Sequence, residues 1–160
     1  MLNNGINSEI IKKPENLFGA SKIILPGVGH FKKGMDSLIK HGFVDVLNEL
    51  VLKNKVPILG ICLGMQLMTK RSDEGNVQGL GWLNAETLSF RTHISNEKVK
   101  IPHVGWKPLS VKKKCYILSN DSDSKNYYFT HSYFVTSDIK EQVVAFSNYE
   151  GIDFISIIKK

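Results

Sequence analysis

The stretch GICLGMQLM (60–68) restricts what this chain can fold into more than any other. An apolar run, VPILGI (56–61), leads into it, and helix-forming residues leave it. A buried strand that feeds Gly-x-Cys-x-Gly and then a helix makes a sharp strand-to-helix turn. Glycine suits such a turn because backbone crowds there. The turn lifts one side chain, Cys62, out at the top of a sheet. Amides at the start of the following helix, beginning with Leu63, favour a thiolate and can donate to an oxyanion. A buried structural cysteine fits the same residues. On this stretch alone both readings stay open.

A second glycine-rich loop, LPGVGHF (25–31), also ends an apolar strand, SKIILP (21–26). If the two strands are neighbours, amides near Val28 or Gly29 and near Leu63 form an oxyanion hole; a plain glycine turn is the alternative. Between them, GMDSLIKHGFVDVLNELVLKN (34–54) has helical spacing with a break at Gly42. LGMQLMTKR (63–71) reads as a further helix. Strand, helix, strand, helix implies parallel strands with right-handed crossovers. The second half reads as shorter, partly alternating strands: LGWLNAETLSF, KIPHVGWKPLS, YYFTHSYFVT, VVAFSNYE and DFISIIKK. The expected class is α/β with antiparallel strands late in the chain, as a single domain over 1–160.

Composition narrows the function classes. No apolar run reaches the length of a membrane span, and the first residues lack the apolar centre of a signal peptide. A cytoplasmic protein is expected. The two cysteines, Cys62 and Cys115, build no disulfide framework. The net charge of +6 is spread thinly, without the basic–aromatic stripe of a nucleic-acid binder. No zinc-ligand spacing, phosphate-binding loop or dinucleotide fingerprint occurs, so no metal or cofactor is expected.

LPGVGHF followed by GICLGMQLM resembles the class I glutamine amidotransferases. DEGNVQGLGWL (73–83), KIPHVGWKPL (100–109) and YYFTHSYF (127–134) narrow the likeness to the glutaminase subunits of imidazole glycerol phosphate synthase. NYEGIDFISIIKK (148–160) is similar to late strands of that group. The resemblance implies a flavodoxin-like sandwich with a mostly parallel central sheet and some antiparallel strands. It implies that Cys62 attacks the side-chain amide of glutamine, and that ammonia passes to a (β/α)8-barrel synthase subunit in histidine biosynthesis. Val28, Gly29 and Leu63 match its oxyanion hole, and Gln66, Ser132 and Tyr133 its substrate-holding positions. Glu74 and Gly75 match its glutamine-pocket loop, against the alternative of an exposed acidic turn. Trp106 is either a synthase contact or a packed tryptophan. A related glutaminase that feeds sugar amidation in surface-polysaccharide assembly shares these features.

The family completes its triad with a histidine and a glutamate two residues on, in a late FHPE motif. His-x-Glu does not occur in this chain. The family's first strand, with its DYGxGN-like opening, and its C-terminal part are expected to be missing. Of the five histidines, His131 is expected in a structural or substrate-adjacent place, and His103 is expected to face the synthase partner or support its loop. A nucleophile without its base loses roughly 10²- to 10⁴-fold in rate. The chain alone is therefore expected to hydrolyse glutamine feebly, or to be a catalytically dead relative that only binds its partner.

Overall fold

A computed structural model describes residues 7–160. The opening residues 1–6, part of the segment read as helix-like, lie outside the described residues; residues 7–13 that follow are irregular. A short 3-10 turn over Pro14–Leu17 leads to β1 (Ile23–Gly27). Helix α1 (Phe31–Lys40) follows. Gly42, at φ 71°, breaks the run as the sequence predicts, and α2 (Phe43–Asn48) continues as a π-helical turn over Glu49–Lys53. Strand β2 (Ile58–Cys62) then feeds α3 (Leu63–Leu67). The helix expected to reach Arg71 stops at Leu67, because the chain from Met68 turns back under β2. There Leu80 N–H donates to the Leu67 carbonyl at 2.8 Å and Leu83 N–H to the Met68 carbonyl at 3.0 Å.

The rest is mostly strand: β3 (Arg71–Ser72), β4 (Val77–Gln78), β5 (Glu86–Ser89), the short helix α4 (Phe90–His93), β6 (His103–Pro108), β7 (Ser110–Val111), β8 (Asn126–His131), β9 (Tyr133–Thr136), β10 (Val143–Tyr149) and β11 (Ile152–Ile158). Strands β1 and β2 form a parallel pair, with Gly27 opposite Cys62. A seven-stranded sheet has the order β4-β3-β5-β9-β11-β10-β7, and β6 and β8 make a separate ribbon.

The α/β class and the parallel first half agree with the sequence reading. The antiparallel strands expected late in the chain are in the large sheet, where only β3 and β5 run parallel and the other neighbours are antiparallel. Short connections are the physical reason. Glu150 (φ 51°) and Gly151 (φ 85°) join β10 to β11 in a two-residue turn with positive φ at both positions. That turn type returns a strand directly antiparallel to its predecessor.

Three apolar clusters hold these pieces. Phe31 and Met35 of α1 pack on Leu63 and Leu67 of α3. Leu47, Leu50, Met68, Trp82, Val135 and Ile155 join the helical layer to the large sheet. Phe90, Phe134 and Phe154 form the third, beneath β6 and β8.

Candidate functional site

Cys62 is the last residue of β2 and the residue before α3, with φ 55° and ψ −118°. A side chain with a Cβ holds such a backbone only where its surroundings over-determine it, at about 1–3 kcal/mol. The flanking glycines show what does so here. A Cβ at Gly60 would stand 2.7 Å from the Met65 backbone, and one at Gly64 would fall on the carbonyl oxygen of Leu25. Strand β1 therefore packs directly on the start of α3, and the chain between Gly60 and Gly64 has one way to turn. The thiol of Cys62 is free and exposed. Among the described residues no hydrogen bond reaches it, so it is not a buried structural cysteine.

The two glycine-rich ends are neighbours, as the sequence requires of an oxyanion site. Gly27 pairs with Cys62, and a Cβ on Gly27 would lie 3.0 Å from the Leu63 Cβ. Val28 and Leu63 line one shallow hollow of about 320 Å³. Val28 is 91% exposed, whereas Leu63 is buried. Gly29 takes φ 105°, open to a residue without a Cβ.

Cys62, Gln66 and Tyr133 line a broad cleft of about 2870 Å³ between the β1–β2 pair and the large sheet. The Gln66 Nε2 amide donates to the Tyr133 carbonyl at 3.2 Å, which ties α3 to β9 across that cleft. Ser132, between β8 and β9, does not line the cleft; its carbonyl accepts from Phe90 N–H at 3.1 Å.

Glu74 is not a free acidic turn. Its Oε2 accepts from Phe31 N–H at 2.6 Å, at the first turn of α1. The loop that carries it is pinned at several points. Asp73 accepts from Ser89 N–H at 3.0 Å, Ser72 Oγ accepts from Glu74 N–H at 3.0 Å, and Arg71 bridges Asp73 and Glu86 at 3.0 and 2.9 Å. Burial, with the carboxylates of Glu74 and Asp73 nearby, raises the Tyr133 hydroxyl pKa above its usual value. Sequence reasoning missed the Arg71–Asp73–Glu86 link, since three charges in one loop and a strand carry no pattern of their own.

None of the five histidines bonds to Cys62. His30 Nδ1 accepts from Lys32 N–H, and His41 and His93 donate through Nδ1 to the carbonyls of Ser37 and Ser89. His103 and His131 face each other, Nδ1 to Nε2, at 3.3 Å.

A strained, exposed cysteine between a parallel strand and a helix gives this α/β framework the strand–turn–helix geometry of a nucleophile elbow. The family model for class I glutamine amidotransferases matches residues 2–160. Imidazole glycerol phosphate synthase subunit HisH 2 of Methanococcus maripaludis is 42% identical over 156 residues, 98% of this chain and 75% of that protein. The HisH subunit of Leptospira borgpetersenii is 38% identical over 95% of this chain and 74% of its own length. HisH 1 of Campylobacter jejuni strain RM1221 is 40% identical over 94% and 73%. A crystal structure of a glutamine amidotransferase superposes with a TM-score of 0.62 at 17% identity, covering 97% of this chain and 79% of that one, which bears on the fold. The chain belongs to the class I glutamine amidotransferase family.

Proposed function

We propose that this protein is the glutaminase subunit of an imidazole glycerol phosphate synthase, working in the cytoplasm for histidine biosynthesis. The relatives' names support the histidine role over sugar amidation. The observation that carries the chemistry is the strained, exposed Cys62, which shares a cleft with Gln66 and Tyr133. In this role the Cys62 thiolate attacks the amide carbon of glutamine. The carbon–nitrogen bond then breaks, nitrogen leaves as ammonia with an added proton, and water hydrolyses the thioester to glutamate. Amides at Val28 or Gly29 and at Leu63 stabilise the oxyanion, and Gln66 and Tyr133, which line the cleft, hold the substrate.

The partner is a (β/α)8-barrel synthase subunit that receives the ammonia. The outer face of the β6–β8 ribbon suits that contact. Val104, Trp106 and Tyr128 are exposed there, and the rings of Trp106 and Tyr128 lie 5.6 Å apart. Trp106 is 66% exposed, which speaks against a packed core tryptophan.

Among the described residues no histidine is hydrogen-bonded to Cys62, so the thiol has no base in contact and its unaided turnover is slow, roughly 10²- to 10⁴-fold below a complete triad. The test uses the protein with its barrel partner, L-glutamine and a glutamate-release assay. Slow release abolished by Cys62→Ala supports the proposal. Release unchanged in Cys62→Ala, or no protection of Cys62 from alkylation by L-glutamine, overturns it.

A further inference from the structure

On the wall of the cleft His131 meets the buried ring of His103, and the chemistry above uses neither. His131 Nδ1 lies 2.8 Å from the Tyr133 carbonyl oxygen. A carbonyl only accepts, so Nδ1 carries the hydrogen. The facing Nε2 of His131 is then an acceptor, and His103 Nδ1–H donates to it at 3.3 Å. His103 is 1% exposed, and its own Nε2 has no partner among the described residues. The Tyr133 carbonyl therefore receives two donors, His131 Nδ1 from β8 and Gln66 Nε2 from α3.

We propose that His131 is a positioning residue for glutamine: its Nδ1–H fixes the Tyr133 carbonyl to which Gln66 is anchored, and His103 sets its tautomer. The inference rests on the glutaminase reading of the cleft. The surroundings keep both rings neutral. Burial lowers the pKa of His131, and burial with nearby His131 and Lys107 pushes His103 down to about 4. Other titratable groups around them offer no counter-charge. Tyr149 of β10 stacks on His103 while its hydroxyl donates to the Lys100 carbonyl, and His93 of α4 lies against Phe134. Asp153 of β11 is turned to the Asn148 amide, and Tyr133 of β9 offers its carbonyl.

Two variants of similar polarity separate positioning from packing. In His131→Asn the amide nitrogen takes the place of Nδ1; in His131→Gln it takes the place of Nε2. Alkylation of Cys62 by iodoacetamide is followed by peptide mass mapping, so that Cys115 is read apart, across a series of L-glutamine concentrations. The expected result is half-protection within about threefold of the parent for Asn and about tenfold weaker for Gln. The alkylation rate without glutamine should stay within about twofold in both. Equal half-protection in the two variants, both intact or both lost, overturns the inference, as does a faster unprotected rate in Gln alone. A parent chain that glutamine does not protect removes the glutaminase reading along with it.

Discussion

Cys62 keeps a positive φ because the backbone of β1 and of α3 leaves it no other path. That strain has a stability consequence. Cys62→Gly relieves it, and against the extra chain entropy of glycine the net gain should be about 1 kcal/mol in urea unfolding, with thiol reactivity at this position gone. Gly64→Ala is the opposite case: its methyl group would meet the Leu25 carbonyl, and a loss of about 3 kcal/mol is expected from the same melts. The buried rings add a pH dependence. His103 has its pKa lowered from 6.5 to about 4, so between those values the unfolded chain binds a proton that the folded chain refuses. Stability is full above about 6.5 and falls as pH drops toward 4. Denaturant midpoints measured across that window should fall in the parent and fall less in His103→Phe.

Among the elements, the loop between β3 and β4 does most to place the site, because Glu74 reaches from it to the first turn of α1. Glu74→Ala removes a charged acceptor from a half-buried amide and should cost about 1.5–3 kcal/mol in unfolding free energy. It also removes one of the carboxylates near the Tyr133 hydroxyl, whose pKa should move back down in an ultraviolet titration. The sequence already carries this loop's identity, in the run DEGNVQGLGWL, but not the bond it makes. The difference is one of range. Gly42, the Gly60–Cys62–Gly64 turn and the Glu150–Gly151 hairpin are local in the chain, and local sterics decide them. Glu74 to Phe31 spans 43 positions, and Gln66 to Tyr133 spans 67; no periodicity records such a meeting. The shortened α3 is a similar case, since residues 80 to 83 bond the carbonyls that end it.

At the scale of the whole molecule, strand polarity was legible early in the chain, where helices intervene, and late in it, where short strands alternate with turns. Helices α1 and α2 force β1 and β2 to run parallel, whereas the two-residue turn after β10 reverses the chain without a crossover. The β1–β2 pair is hydrogen-bonded to no other strand among the described residues, so both of its edges are open. One face packs on the helices through Ile23, while Ile24, Leu59 and Ile61 lie together on the other, at 39%, 42% and 47% exposure. These three line the broad cleft that also holds Cys62. Open edges beside exposed branched apolar residues are a template for pairing with another chain. The isolated chain should therefore self-associate as concentration rises, seen as growing mass in light scattering. Leu59→Lys, which puts a charge in the middle of that face, should reduce the association while leaving the fold's circular dichroism unchanged. A parent chain that stays monomeric across the concentration series would mean that the apolar face is protected in solution, and that the β1–β2 pair closes on the large sheet more tightly than its exposure indicates.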